Sequence, residues 1–320
     1  MSAHTPSPLT RRALLSLGIV IVAAGAFFYL SGVSAEHPPT GNPEPGPGTR
    51  PRASTAAQII EYGHPERLQL QSQIALVLDE REGVMLMARD IDTPRPIASL
   101  TKLMTALVIL ESDLPLDAPI VITTADLDRL KGSRSRLRVG SILTRDDLLR
   151  AALAASDNRA ASALARSWPL GREAFVAAMN DKAHALGMTS TRFADASGLD
   201  QRNVSTARDL ARLLIAASRN PRLPAYSTRS EVWVTDLASG HPVAWNNTNR
   251  LVRSDGWEIN LSKTGYTSEA GNCLVMQATI GHRPVSIVLL NSWGKLSKYG
   301  DARRIRDWLL DTERKIGVGV

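Results

Sequence analysis

One cysteine in 320 residues, Cys273, excludes an intramolecular disulfide. Its apolar neighbours Leu274-Val275-Met276 read as the surroundings of a buried, inert thiol. Aromatic residues are scarce at 5%, so aliphatic side chains must fill most of the core. The six histidines, at positions 4, 37, 64, 184, 241 and 282, show neither H-x-x-E-H nor H-E-x-x-H spacing, which speaks against a histidine-built zinc site. Charge of one sign is also modest. The net +7 falls to +5 once Arg11 and Arg12 are set aside, since the first 35 residues contain no acid. Lys131, Arg134, Arg136 and Arg138 form a local basic cluster without the interleaved aromatics that stack on bases. It reads as a solvated face or a polyanion contact, not a nucleic-acid site, and a carboxylate-rich polymer suits an exported protein better.

What is present starts with an export segment. Arg11 and Arg12 precede an apolar run from about Ala13 to Leu30, and Val33-Ser34-Ala35 offers small residues for signal cleavage. The run is at the lower edge of what spans a bilayer, so residues 1–35 read as a signal peptide or an uncleaved N-terminal anchor, with twin-arginine export also permitted. Either route takes the following domain out of the cytoplasm. Pro38, Pro39, Pro43, Pro45, Pro47 and Pro51 alternate with Gly41, Gly46 and Gly48, a composition that reads as a spacer. The expected layout is a Pro/Gly-rich linker over 36–66 and a catalytic domain over 67–320.

Hydropathy periods place strands at both ends of that domain and helices between them. Gln73–Leu78 and Val84–Ala88 flank a glycine-containing turn and predict a hairpin. Leu103, Leu107 and Leu110 give Ser99–Glu111 helical spacing. Further helices are expected at about 144–155, 159–167, 171–186 and 205–218, the last with Asp209 in its first turn after Ser205-Thr206. Strands return at Glu258–Thr264, Cys273–Ile280 and Val285–Leu290, before a closing helix over about 301–310. The expected fold is mixed α/β, an antiparallel sheet closed by N- and C-terminal strands, flanked by helices and with an all-helical middle region.

Three short motifs carry chemistry. Ser99-x-x-Lys102 puts a hydroxyl and an amine on one helix face, and a serine nucleophile needs such a base. Lysine serves only when neutral, which burial and a second cation, Lys263 being the candidate, would favour. Ser292-Trp293-Gly294-Lys295 has the same spacing but follows a strand and contains glycine, so it is a decoy. Ser156-Asp157-Asn158 lies between two expected helices, where Ser156 can relay a proton and Asn158 can bind an amide. Alone, Ser156 would read as a helix cap, and Ser218-Arg219-Asn220 before Pro221 as a helix stop. Lys263-Thr264-Gly265 on a strand offers a cation, a hydroxyl and a glycine that lets substrate backbone approach.

In this order the three motifs resemble those of the penicillin-binding proteins and β-lactamases. The likeness extends to Ile97–Ala106, Ser156–Ala161, Leu186-Gly187-Met188, Ser197-Gly198-Leu199 and Ser205–Leu210, and covers about residues 70–310. It is to the low-molecular-mass penicillin-binding proteins, the D-alanyl-D-alanine carboxypeptidases and endopeptidases, and within them to the penicillin-binding protein 7 type endopeptidases, which cut crosslinks between peptidoglycan strands. The resemblance implies a β-lactamase/transpeptidase-like fold, a periplasmic location and no metal or organic cofactor. It implies peptidoglycan stem peptides as substrates and β-lactam antibiotics as covalent inhibitors. Carried over position by position, it makes Ser99 the acylated nucleophile, Lys102 its base, and Ser156 and Asn158 aids to proton transfer and positioning. Lys263, Thr264 and Gly265 would recognise the substrate carboxylate, with the N–H groups of Ser99 and Tyr266 as oxyanion donors.

Two departures shape the expectation. No β-rich C-terminal domain follows the closing helix, which favours the endopeptidases over the carboxypeptidases. No E-x-x-L-N segment follows Ser156, which argues against a class A β-lactamase. The alternatives are a D-alanyl-D-alanine carboxypeptidase and a non-hydrolytic penicillin- or peptidoglycan-binding sensor domain. Lys298 reads as a solvated surface lysine rather than a carboxylate ligand.

Overall fold

The structure, a computed structural model, describes residues 55–318. The signal or anchor segment over 1–35 and the proline-rich part of the spacer lie outside the described residues. Helix α1 (Thr55–Gly63) opens the described chain and buries Ala56 and Ile59. Residues 55–63, grouped with the linker by sequence, therefore belong to the folded unit. Strands β1 (Ser72–Asp79) and β2 (Val84–Arg89) form the expected hairpin. The short β3 (Arg95–Pro96) leads through a 3-10 turn, Ala98–Leu100, into α2 (Thr101–Leu110).

The middle of the chain is helical but not wholly so. Strands β4 (Pro119–Val121) and β5 (Ile142–Thr144) pair into a ribbon before α3 (Arg145–Ala154), α4 (Asn158–Arg166) and α5 (Gly171–Ala185). Strand β6 (Val204–Ser205) pairs with β3, and α6 (Ala207–Ser218) starts where Thr206 accepts a hydrogen bond from the Asp209 N–H at 3.1 Å. A six-residue α7 (Arg222–Ser227) and a hairpin of β7 (Glu231–Thr235) and β8 (Pro242–Asn246) follow. Sequence periodicity did not announce these last elements, because each is short and most of its strand residues face solvent.

The chain then closes with β9 (Glu258–Thr267), β10 (Gly271–Ile280), β11 (Arg283–Ser292) and α8 (Ser297–Lys315). The five long strands form one antiparallel sheet in the order β2-β1-β11-β10-β9. Period-2 alternation divides its side chains between two cores. Ile74, Leu76, Cys273, Val275, Val288 and Leu290 face the helical core of α2 to α7, whereas Ala75, Val77, Leu274, Met276, Ile287 and Leu289 face the core shared with α1 and α8. Both faces are thus covered, and β9 is an edge strand whose Ser262 N–H donates to Ser227 Oγ of α7 at 3.3 Å.

Cys273 has no measurable exposure, and burial pushes its thiol up to about 11, as expected of an inert cysteine. Helix α8 begins four residues earlier than its sequence pattern suggested, and Gly300 sits inside it. Burial of Lys298, Tyr299 and Asp301 against the sheet outweighs the local helix propensity of that glycine.

One ion cluster ties the sheet to α8. Arg283, 5% exposed, donates to Asp79 and lies 3.4 Å from Glu82 and 3.3 Å from Glu313. Asp79 is fully buried and also accepts from the backbone N–H groups of Arg81 (2.8 Å) and Glu82 (3.1 Å). Removing the cation leaves buried carboxylates uncompensated. Arg283→Met is expected to lower unfolding free energy by about 3–5 kcal/mol, read as a shift in the urea midpoint at unchanged slope.

Candidate active site

Ser99 sits in the 3-10 turn that feeds α2, and its backbone is held from both sides by glycines. Ala98 just before it has φ +48°, a left-handed conformation that alanine adopts only under constraint. Thr101 Oγ1 donates to the Ala98 carbonyl at 2.8 Å, and the Ile97 N–H donates to the Asn203 carbonyl at 3.1 Å. A Cβ on Gly198 (φ +82°) would fall 1.9 Å from the Ala98 oxygen. On the opposite side a Cβ on Gly265 would lie 3.0 Å from the Ile97 oxygen and 3.3 Å from the Ser99 nitrogen. Gly265 thus also lets β9 pack against the serine turn.

Lys102 follows one helical turn later with no measurable exposure. Its Nζ lies 2.9 Å from Ser99 Oγ, 2.6 Å from Asn158 Oδ1 and 2.5 Å from the Ser197 carbonyl. Three acceptors match the three protons of an ammonium; a neutral amine can keep two of these bonds and take the Ser99 proton instead. Burial lowers the amine to about 8, while the charges of Asp195, Asp157 and Asp128 pull it back up.

Ser156 occupies a left-handed turn (φ +60°) between α3 and α4 and lines the cleft. The cap of α4 is not Ser156 but Asp157, which accepts from the Ala160 N–H at 3.1 Å. Ser156 is thereby left to the cleft. Asp157 also accepts from Ser135 Oγ at 2.7 Å, and Asn158 Nδ2 donates to Ser133 Oγ at 2.7 Å. The basic cluster thus belongs to a loop that braces this turn, with Lys131 paired to Glu269 at 2.5 Å and Arg136 donating to the Ala244 carbonyl.

Lys263 is 1% exposed and donates to the Thr264 carbonyl at 3.0 Å. Burial, and then the charge of Lys102, push it well below the usual lysine range. The charges of the two buried amines, Lys102 and Lys263, thus oppose each other. Thr264 Oγ1 donates to Thr248 Oγ1 at 2.7 Å, and Tyr266 is 66% exposed at the cleft edge. Ser99, Ser156, Asn158, Thr264, Gly265 and Tyr266 line one cleft of about 1310 Å³.

Lys298 departs from its expected place. It is 4% exposed, donates to Asn272 Oδ1 at 3.2 Å and to the Lys295 carbonyl at 3.1 Å, and lines the same cleft. Burial lowers it to about 8. The decoy Ser292-x-x-Lys295 stays outside any helix, with Ser292 buried against Ser72 Oγ at 2.6 Å. Motif reading missed the loop behind Lys102. There Asp195 accepts from the N–H groups of Ser197 (3.1 Å) and Gly198 (3.0 Å), and Asn203 Nδ2 bridges Asp195 (2.8 Å) to Thr101 (3.0 Å). The Asp195-x-Ser197-Gly198 spacing, a side chain capping the N–H groups two and three residues on, was the available signal.

The sequence profile of the D-alanyl-D-alanine carboxypeptidases, peptidase family S11, matches residues 61–294. The chain belongs to this family and is a serine-type D-alanyl-D-alanine peptidase. It is 48% identical over 257 residues to a protein of Pseudomonas aeruginosa named D-alanyl-D-alanine endopeptidase, covering 80% of this chain and 83% of that one. Its identity to the Escherichia coli protein of the same name is 42% over 241 residues, covering 75% and 78%. The crystal structure of a Streptomyces DD-transpeptidase superposes with a TM-score of 0.71 at 29% identity, covering 76% of this chain and 98% of that one. The β-lactamase/transpeptidase-like fold read from the motifs is the fold observed.

The buried amine predicts a pH profile. With Lys102 at about 8, only about a tenth of it is neutral at pH 7. Acylation of the protein by a labelled penicillin should rise tenfold per pH unit below about 8 and level off above it. Asp195→Asn removes a charge that holds the proton on Lys102, so the midpoint of this limb should move to lower pH. A midpoint that stays in place would show that Asp195 acts on the loop alone.

Proposed function

We propose that the chain is a D,D-endopeptidase that hydrolyses D-alanyl crosslinks of peptidoglycan through an acyl-enzyme on Ser99. The observation that carries this reading is the Lys102 amine, buried and in hydrogen-bond contact with both Ser99 Oγ and Asn158 Oδ1. The relatives named endopeptidases, matched over most of their length, support the subtype.

In this mechanism the neutral Lys102 amine takes the Ser99 proton as Oγ attacks the D-alanyl carbonyl. The N–H groups of Ser99 and Tyr266 receive the developing oxyanion, which the approach of Gly265 to the Ser99 turn makes possible. Asn158 holds Lys102 and faces the substrate amide, and Ser156 passes the proton to the leaving amine. The edge strand β9 receives the substrate backbone as an added strand.

Lys263 and Thr264 take the carboxylate of the leaving residue. An anion arriving there favours the charged form of Lys263, and that charge in turn favours the neutral form of Lys102. Substrate binding would thus strengthen the effect of Lys263 on Lys102. Water then hydrolyses the ester, and β-lactams, which mimic the acylating peptide, remain as stable esters.

The segment over 1–35 would direct export to the periplasm, either cleaved or kept as a membrane anchor, with the spacer giving the domain reach. Among the described residues no helix is long and apolar enough to cross a membrane. A labelled penicillin should mark the wild-type protein and leave Ser99→Ala unmarked at equal thermal stability. The wild-type protein should convert crosslinked muropeptide dimers to monomers. Release of D-alanine from pentapeptides with intact dimers would assign a carboxypeptidase, and an adduct without either product would assign a sensor.

A further inference from the structure

The cleft lined by Ser99, Ser156, Asn158 and Thr264 is lined by further residues as well. Thr264 Oγ1 contacts Thr248 at 2.7 Å, the Thr248 carbonyl accepts from Tyr299 OH at 2.8 Å, and the charges of Arg250 and Arg253 reach Tyr299. Arg250 and Arg253 lie on a 3-10 turn that starts where Asn249 caps the Leu251 N–H at 3.1 Å. Lys295, in the connection from β11 to α8, lines the same cleft.

The lining of this cleft contains four cations, Arg250, Arg253, Lys295 and Lys298, and no aspartate or glutamate. Elsewhere the surface is mixed: Arg150, Arg166, Arg202, Arg208 and Arg304 each pair with a carboxylate within 4 Å, and what sets the cleft apart is that its cations gather where the lining holds no acid. Among the described residues Arg250, Arg253 and Lys295 have no such partner, and Arg253 reaches only the Ser230 carbonyl, at 3.4 Å. Exposed cations left unpaired in one cleft attract an anion by focusing the field inside a concave surface.

We infer that Arg250, Arg253 and Lys295 form a subsite for the leaving half of the substrate, an acidic second stem peptide whose free carboxylates lie along this strip. The inference rests on the D,D-endopeptidase reading and adds which end of the crosslink goes where. If Thr264 holds the carboxylate next to the scissile bond, the leaving stem extends from Thr264 toward Thr248 and Arg250. A pentapeptide or a penicillin has no second stem and does not reach the strip. Arg250 and Arg253 therefore discriminate crosslinked from uncrosslinked substrates.

The test compares two crosslinked muropeptide dimers, one native and one with the carboxylates of the leaving stem amidated, and uses labelled penicillin as the reference acylation. Wild-type kcat/KM should be about tenfold higher for the native dimer than for the amidated one. Arg250→Glu/Arg253→Glu should lose about tenfold on the native dimer, cease to distinguish the two dimers, and acylate with penicillin within about twofold of wild type. Should the double variant not fold, the wild-type comparison of the two dimers decides alone. Equal cleavage of both dimers by the wild-type protein, or unchanged cleavage of the native dimer by a folded double variant, would overturn the subsite. A wild-type protein that takes up penicillin but cuts neither dimer would overturn the endopeptidase reading itself, and this inference with it.

Discussion

The interaction on which the rest of the structure depends is the contact between a fully buried amine and a serine hydroxyl. Lowering Lys102 from 10.5 to about 8 means that its surroundings penalise the charged form by about 3 kcal/mol relative to water. Such a group stays inside a protein only if its hydrogen bonds are complete. Asn158 Oδ1, Ser99 Oγ and the Ser197 carbonyl complete them, each bond to a charged donor contributing about 1.5–3 kcal/mol. The three acceptors come from three separate stretches of chain, so the amine both requires the tertiary fold and joins its parts.

Holding those acceptors in place explains the glycines and much of the polar network around them. Gly198 presses against the Ala98 carbonyl while Gly265 brings the edge strand to the other side of the same turn. Asp195 and Asn203 fix the loop that presents Ser197, and Ser133 and Ser135 fix the turn that presents Asn158 and Asp157. The five-stranded sheet, covered on both faces, gives this assembly a rigid wall with β9 at its edge.

How much of this was legible in the sequence depended on what each residue answers to. Ser99, Lys102, Ser156, Asn158, Lys263 and Thr264 stood out because the proposed chemistry calls for particular residue types at particular spacings, and the structure places Ser99, Ser156, Asn158 and Thr264 in one cleft with Lys102 buried against Ser99 and Asn158. The sheet strands followed from alternation, although burial on both faces makes their runs almost continuously apolar. For Gly265 a second reason for the missing side chain stayed hidden, because only the fold shows that its neighbour is the Ser99 turn. Lys298 was misplaced for a related reason: a lysine after a glycine-containing turn looks solvated until α8 is seen to pack it under the cleft. Helix α1, the β7–β8 hairpin and the bracing loop around Ser133 escaped because their local patterns are short or polar and their order comes from distant partners.

The reactivity of the site turns on the proton affinity of one side chain. Its most direct test is an NMR titration of the Lys102 Nζ in the intact protein, with Lys102→Arg used to assign the signal. A midpoint near 8 is expected, which leaves enough neutral amine for Ser99 to react near neutral pH. A midpoint at the ordinary lysine value of about 10.4 would contradict it, since the amine would then remain charged wherever the site is required to work.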